Sequence, residues 1–264
     1  MWYTSYSVIL LCHNPRRKSR YRKENLYDFW FITSRFFTER GHIMSKINCT
    51  RSGCRDVFHS YLVSDANYDG VIEIPVIEPM NQLPNRLISF SKAMRTDDYD
   101  QWVHFYEDDS VFERVWNRPR YYLPKLKKFN GVITPDFSLY RDMPLVMQQW
   151  NTYRGKALGH WWQAQGMLVL PNVRTADERS FAFSCCGVPH HAPICIGTHG
   201  CLRVRKDREL FKAGLAYVLN ELTPPYIIFY GAVPEDVIDI CSARKVNVLQ
   251  FPSEFALSRK AVSE

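Results

Sequence analysis

Residues 131–140 read GVITPDFSLY, and this stretch decides the assignment of the fold. Val132 and Ile133 predict a buried β-strand, and Pro135 predicts its end because proline cannot donate a hydrogen bond to a sheet. Asp136 then lies at the carboxyl end of the strand. Ligands of parallel α/β proteins bind at the carboxyl ends of strands, so the stretch predicts a strand with a site beside it.

The same pattern of an apolar segment followed by polar residues recurs along the chain. We expect about seven strands, at residues 71–77, 103–106, around 132, 167–170, 194–197, 226–230 and 246–251. Helical patterns separate most of them, among them residues 84–94, 143–165 and 206–222. Strands joined by helical crossovers form parallel sheets. The predicted fold class is therefore α/β with parallel β/α repeats, as a closed or incomplete (β/α) barrel, with an open doubly wound sheet as second choice.

The chain has 264 residues, of which 46% are hydrophobic, and this is enough for one large α/β domain over residues 44–264. The net charge is +7, but residues 1–43 contain eight Lys/Arg and three Asp/Glu and so carry +5 of it. The other residues carry only +2, so bulk charge does not argue for nucleic-acid binding. No GxGxxG or GxxxxGK[ST] fingerprint follows a strand, which argues against an NAD-type Rossmann domain or a P-loop ATPase.

Residues 1–43 differ in composition from the rest and allow three interpretations. The first is an N-terminal extension, either not native or disordered, that precedes a natural start at Met44. The second is a docking or nucleic-acid arm, and the third is a peripheral membrane anchor. No cleavable signal peptide and no apolar run of about 20 residues is evident, and the eight cysteines are too sparse for a disulfide scaffold. These features predict a cytoplasmic protein with reduced thiols and no transmembrane segment.

Two carboxylates are the candidate catalytic residues. Asp136 follows the strand at Val132, and Asp109 belongs to an acidic cluster that follows the strand at residues 103–106. If the sheet is parallel, both reach the same rim, where burial can separate the pKa values of an acid and a nucleophile or base. The alternative is that each aspartate only caps a helix or forms a turn.

Substrate-binding roles are predicted for six residues. Asn172, His199 and Tyr230 lie at inferred strand ends, whereas Arg154, Trp162 and Gln165 lie in the helical region that precedes the strand at residues 167–170. Trp162 could stack on a base or sugar, or belong to the core. Arg154 and Arg174 could hold a phosphate, or form salt bridges with Asp142 or Asp177.

Thiol and metal chemistry have weaker signals. His199 and Cys201 resemble half of a thiol nucleophile site, although a buried inert thiol fits the sequence better. Cys49, Cys54 and His59 have C-x4-C-x4-H spacing without an evident fourth ligand, so neither a metal nor a cofactor is predicted.

Several motifs together resemble a known family. HFYEDDSVFERVW, GVITPDFSLYRDMPLVMQQWNTYR, GHWWQAQGMLVLPNV, DERSF, GTHGC and IIFYG, in this order, resemble an uncharacterised bacterial and phage family known as a domain of unknown function, number four-four-one-seven. The resemblance runs from about residue 71 to residue 251 and leaves residues 1–43 outside. It implies a phage or mobile-element setting and brings no established activity.

Two functional hypotheses follow. The first is an enzyme that acts on a nucleotide, nucleoside or nucleic-acid base by glycosidic-bond chemistry, as a hydrolase or glycosyl transferase, with Asp136 as nucleophile or base and Asp109 as acid. The second is a non-catalytic accessory protein of a phage or mobile element that binds a protein or nucleic-acid partner through its basic N-terminal region. The oligomeric state is not predicted.

Overall fold

The computed structural model describes residues 56–202, 204–254 and 256–258. The described strands are β1 (Tyr68–Asp69), β2 (Ile74–Pro75), β3 (Leu87–Ser89), β4 (Trp102–His104), β5 (Gly131–Ile133), β6 (Val169–Leu170), β7 (Ile194–Gly197), β8 (Tyr226–Tyr230) and β9 (Asn247–Phe251). The described α-helices are α1 (Phe90–Ala93), α2 (Asp109–Asn117), α3 (Pro119–Leu126), α4 (Leu145–Ala164), α5 (Glu178–Ser184), α6 (Arg205–Leu222) and α7 (Glu235–Ser242). The predicted N-terminal segment, residues 1–43, lies outside this part of the chain.

Strands β3 to β9 are parallel to their neighbours and follow the order of the chain. One sheet has the order β3-β4-β5-β6 and another has the order β7-β8-β9. A parallel bridge between Asn172 and Cys195 joins the residues after β6 to β7. The carboxyl ends of the strands therefore point in one direction, and the predicted α/β class with parallel strands is confirmed.

Each face of the strands packs on a separate apolar layer. One buried cluster takes one residue from each of five consecutive strands, β4 to β8: Trp102, Ile133, Leu170, Cys195 and Ile228. Leu87 of β3 and Leu249 of β9 pack against the same cluster. Alternate residues such as Val132 and Val169 instead join Leu158 of α4 in a second cluster, because successive side chains of a strand point to opposite faces.

The beginning of the parallel sheet differs from the prediction. Ile74–Pro75 is a two-residue strand that pairs antiparallel with β1, so residues 71–77 do not supply a parallel strand. The segment predicted as a helix, residues 84–94, contains β3 and becomes helical only at Phe90. Leu87 pairs in register with Trp102, and this tertiary pairing overrides the local helical spacing.

Helix α4 lies unusually close to the end of β5. A Cβ atom at Gly159 would be 2.5 Å from Thr134 Cγ2, and one at Gly155 would be 3.1 Å from the Pro135 carbonyl oxygen. The two glycines therefore permit close packing without interrupting the helix, which lies within the predicted residues 143–165. This contact brings the middle of α4 to the residues that follow β5.

Among the described residues, no helix is both long enough and apolar enough to span a bilayer. The five cysteines of this part of the chain, Cys185, Cys186, Cys195, Cys201 and Cys241, form no disulfide.

Candidate functional site

The Asp136 carboxylate lies just beyond β5 and is held by side chains that follow β6. Asn172 Nδ2 donates a hydrogen bond of 2.7 Å to Asp136 Oδ1. Arg174 Nη1 forms an ion pair of 2.6 Å with Asp136 Oδ2. Asp136 is only 9% exposed, so the structure brings a nearly buried carboxylate together with a cation and an amide at two adjacent strand ends.

Asn172 connects this carboxylate to three further residues. Its backbone N–H donates to Thr134 Oγ1 at 2.8 Å, and its side-chain oxygen accepts a hydrogen bond of 3.0 Å from the Tyr106 hydroxyl. Its carbonyl oxygen accepts a hydrogen bond of 2.6 Å from Lys156 Nζ. The predicted residue Asn172 is thus the centre of a polar network that also includes residues from α4 and the segment after β4.

Lys156 is the residue of this cluster that the sequence analysis missed. It is 4% exposed and forms no ion pair with any described residue. Burial lowers its pKa to about 8, against the opposing influence of nearby thiols and of Asp136. Its position between Gly155 and Gly159 was a usable signal, because small neighbours let this part of a helix approach the sheet.

The charges of the cluster affect one another. Burial raises the pKa of Asp136, although Arg174 and the hydrogen bond from Asn172 oppose that rise. Burial acts to lower the pKa of Arg174, but the Asp136 carboxylate more than offsets this and raises it overall. These directions describe an ion pair that burial removes from water and that the attraction between its two charges stabilises.

One N–H donor of Arg174 forms no hydrogen bond to a described residue. Its Nε atom is buried and has no hydrogen-bond partner in the described part of the chain. Arg174 also lines a small cavity, together with Asn151, Lys156 and Asn172 on its polar side and Phe137 and Leu139 on its apolar side. The cavity is only large enough for a group about the size of a water molecule, so it could receive one oxygen atom of a ligand.

The three acidic residues that follow β4 make different contacts. Glu107 accepts hydrogen bonds from the backbone N–H and the hydroxyl of Ser91, at the start of α1. Asp108 is exposed and precedes the first residue of α2. Asp109 accepts hydrogen bonds from the Ser138 backbone N–H at 3.1 Å and from the Ser138 hydroxyl at 2.9 Å. Asp109 thus joins α2 to the loop that carries Asp136, and each of the two predicted catalytic carboxylates has its own partners.

Arg154 is buried in α4 and is occupied by other contacts. It pairs with Glu113 at 2.5 Å and donates to Asn151 at 2.6 Å. Its guanidinium lies 3.9 Å from the centre of the Phe137 ring. The partners proposed from the sequence, Asp142 and Asp177, are not the ones observed: Arg154 pairs with Glu113, and Arg174 pairs with Asp136.

Tyr230 and His199 lie at the carboxyl ends of β8 and β7, as predicted. The Tyr230 ring stacks on Tyr106 with centroids 4.9 Å apart, and its hydroxyl accepts a hydrogen bond from the Glu254 backbone N–H. His199 is exposed in the loop after β7. Burial raises the pKa of the Cys201 thiol, which favours the inert thiol over a thiolate nucleophile.

Two predicted binding residues are not brought to this cluster. Trp162 is fully buried and stacks on Phe105 with centroids 5.7 Å apart, so it belongs to the core, as the alternative interpretation held. Gln165 follows the end of α4 and precedes the amino end of β6, which is the opposite edge of the sheet.

Metal ligands are not grouped in the described part of the chain. It contains no cluster of three or more His, Cys, Asp or Glu side chains that could hold a metal ion. Cys49 and Cys54, two members of the C-x4-C-x4-H pattern, lie outside the described residues.

Comparison with known proteins places the chain in a family. It is 34% identical to the Gene 1 protein of Mycobacterium phage D29 over 197 residues, which are 73% of this chain and 71% of that protein. It is 30% identical to the Gene 1 protein of Mycobacterium phage L5 over 219 residues, which are 81% of this chain and 92% of that protein. No solved structure matches the chain significantly. The profile of the domain of unknown function DUF4417 matches residues 66–252, and the chain therefore belongs to this family.

Proposed function

We propose that the chain is an enzyme that acts on a nucleotide, nucleoside or nucleic-acid base by glycosidic-bond chemistry at the cluster around Asp136. The observation that supports this most strongly is the largely buried ion pair of Asp136 and Arg174. Burying two charges costs several kcal/mol in desolvation, and such a pair is weak support for stability. Perturbed charged groups of this kind are concentrated at functional sites, particularly at the carboxyl ends of parallel strands.

Asp136 is the proposed nucleophile or base. Each of its carboxylate oxygens accepts one hydrogen bond, from Asn172 or from Arg174, and retains a lone pair. In the covalent form of the reaction, one oxygen attacks the anomeric carbon of the sugar and the bond from that carbon to the base breaks. The electron pair of the broken bond moves to the base, and water or an incoming base then displaces Asp136.

Lys156 is the proposed acid in place of Asp109. The leaving base needs a proton, and an ammonium whose pKa is lowered to about 8 is largely protonated at pH 7 while it still donates readily. The amine that remains recovers a proton from the displacing water or base. Asp109 is a positioning residue in this scheme, because both of its observed contacts hold the backbone and hydroxyl of Ser138.

The arrangement of the strands supports an incomplete (β/α) barrel as the scaffold. The apolar cluster that β4 to β8 share is also contacted by β3 and β9, the first and last strands of the parallel series. Lys92 of α1 and Glu254, just after β9, form an ion pair of 2.9 Å. The two ends of the series therefore approach each other, as a barrel requires and an open doubly wound sheet does not.

The experiment is to incubate the full chain with nucleosides, nucleotides and oligonucleotides and to measure released or exchanged base by chromatography. Asp136→Asn should reduce the rate by about 10²–10⁴-fold, as expected for loss of a base or nucleophile. Asp239→Asn is the matched control, because Asp239 is exposed on α7. A second variant, Lys156→Met, removes the proposed acid and also a buried charge, so it should lose activity without losing stability. It therefore separates loss of activity from loss of folding.

If no substrate of this class loses or exchanges a base, the enzymatic proposal is wrong. The accessory-protein hypothesis would then be preferred. Its proposed binding region, residues 1–43, lies outside the described residues.

A further inference from the structure

The later part of the connection between β4 and β5, residues 114–128, carries the most one-sided charge of the described chain outside the candidate site, whereas the earlier part of the connection is acidic. Residues 114–128 contain six cations and no Asp or Glu. The cations are Arg114, Arg118, Arg120, Lys125, Lys127 and Lys128. Five of them are exposed, and the sixth, Lys125, is half-buried. We refer to this set, together with Tyr121, as the α3 surface.

Most cations of the α3 surface form no ion pair with a described residue, although the Asp97 carboxylate acts on Lys128 as well as on Lys125. Only Lys125 forms an ion pair with a described residue, at 3.5 Å from Asp97. Three of the others lie over aromatic rings: Arg120 over Tyr61 at 4.0 Å, Arg114 over Phe90 at 5.0 Å and Lys128 over Tyr99 at 5.2 Å. Ring contacts of this kind orient a cation without cancelling its charge.

An exposed aromatic ring lies within the same surface. Tyr121 of α3 is 71% exposed, between Arg120 and a half-buried Tyr122. A tyrosine so accessible contributes little to the core. Next to unpaired cations it has the character of a stacking platform for a base, since every base presents a flat face and a phosphate accompanies it.

We propose that the α3 surface binds single-stranded nucleic acid, with the cations on the phosphates and Tyr121 stacked on a base. The argument is charge complementarity and the exposed ring, and it holds whether or not Asp136 is catalytic. A single strand is favoured over a duplex because the bases of a duplex are already stacked on each other and cannot reach Tyr121.

The test uses fluorescence anisotropy of the full chain with a fluorescein-labelled oligothymidine and with a labelled duplex, over about 50–200 mM salt. The double variant Lys127→Glu/Lys128→Glu should weaken single-strand binding at least about tenfold, and the slope of log affinity against log salt should fall by about 1.4, or about 0.7 for each phosphate contact. Tyr121→Ala should weaken it about fivefold or more, the lower range for one stacked base.

The matched control is Lys206→Glu/Lys245→Glu, which changes the net charge equally. Both lysines are exposed, and neither forms an ion pair with a described residue. Circular dichroism should show the same fold in all variants, since every altered side chain is exposed. Equal weakening by the two double variants, an unchanged affinity after Lys127→Glu/Lys128→Glu, absence of binding by the unaltered chain, or tighter binding of the duplex would each overturn the proposal.

Discussion

Replacing Lys156 with methionine should remove a pH-dependent cost of folding. Burial lowers the pKa of Lys156 from 10.5 to about 8, and each unit corresponds to about 1.4 kcal/mol. The charged amine therefore destabilises the folded state by about 3 kcal/mol at pH 7. Methionine removes this cost but leaves the Asn172 carbonyl oxygen without its observed donor, which costs about 1–3 kcal/mol. The net change at pH 7 should be neutral or stabilising.

The dependence on pH is the sharper test, because the difference in stability between the two proteins changes with pH only through the proton of Lys156. Between pH 8 and 10.5 the unfolded state holds a proton on Lys156 that the folded state has released. The stability of the unaltered protein should therefore rise with pH in this window, by about 2 kcal/mol between pH 8 and 10, relative to Lys156→Met. Subtracting the two curves cancels the groups that both proteins share.

Urea unfolding followed by circular dichroism, repeated at several pH values from 7 to 10, measures this difference. Lys206→Met is the control, because Lys206 is exposed on α6 and its curve should run parallel to that of the unaltered protein. If the curves of Lys156→Met and the unaltered protein also run parallel from pH 8 to 10, Lys156 does not carry a destabilised charge, and its proposed role as an acid fails with it.

Three further outcomes test the site and the fold. Base release, if it uses Lys156 as acid, should decline above about pH 8 as that group loses its proton, approaching tenfold for each pH unit; a rate that is constant to pH 10 would contradict this role. Trp162→Ala should lower the free energy of unfolding by about 3–5 kcal/mol, measured in urea, because Trp162 is fully buried against Phe105. Gly187→Ala should lower the midpoint of thermal unfolding, through a cost of about 1–3 kcal/mol, because Gly187 has a φ of +69° and an added Cβ would lie 2.3 Å from the Pro75 carbonyl oxygen; an unchanged midpoint would show that the backbone relaxes there.

The end of β5 could be predicted from the sequence because local chemistry determines it. Pro135 cannot continue the hydrogen bonds of the sheet, and the strand indeed ends at Ile133. The first parallel strand could not be found in this way. Leu87–Ser89 is only three residues long and is followed directly by a helix, so its pairing with Trp102–His104 has no periodic signal of its own.

The residues of the site also divide into those that could be predicted from the sequence and those that could not. Asp136 and Asn172 follow strands and were predicted, since polar residues at strand ends share an edge once the sheet is parallel. Lys156 was missed because a lysine within a helix is ordinarily solvated, and only the close contact of α4 with β5 buries it. The partners of Arg154 and Arg174 depend on distances between separate elements, which no local pattern contains.

The polar network also constrains what the site can bind. The cluster of Asp136, Arg174 and Lys156 lies in surroundings that are largely closed to water. The Asp109 carboxylate also acts on Asp136 and Arg174, so with Lys156 protonated the two cations and the two carboxylates balance. Arg174 Nε is nevertheless buried without a partner among the described residues, and a ligand that brings a hydrogen-bond acceptor could satisfy it. A phosphate oxygen is a strong acceptor for a guanidinium donor, so among the substrates to be tested we expect the nucleotides and oligonucleotides to be better than the nucleosides.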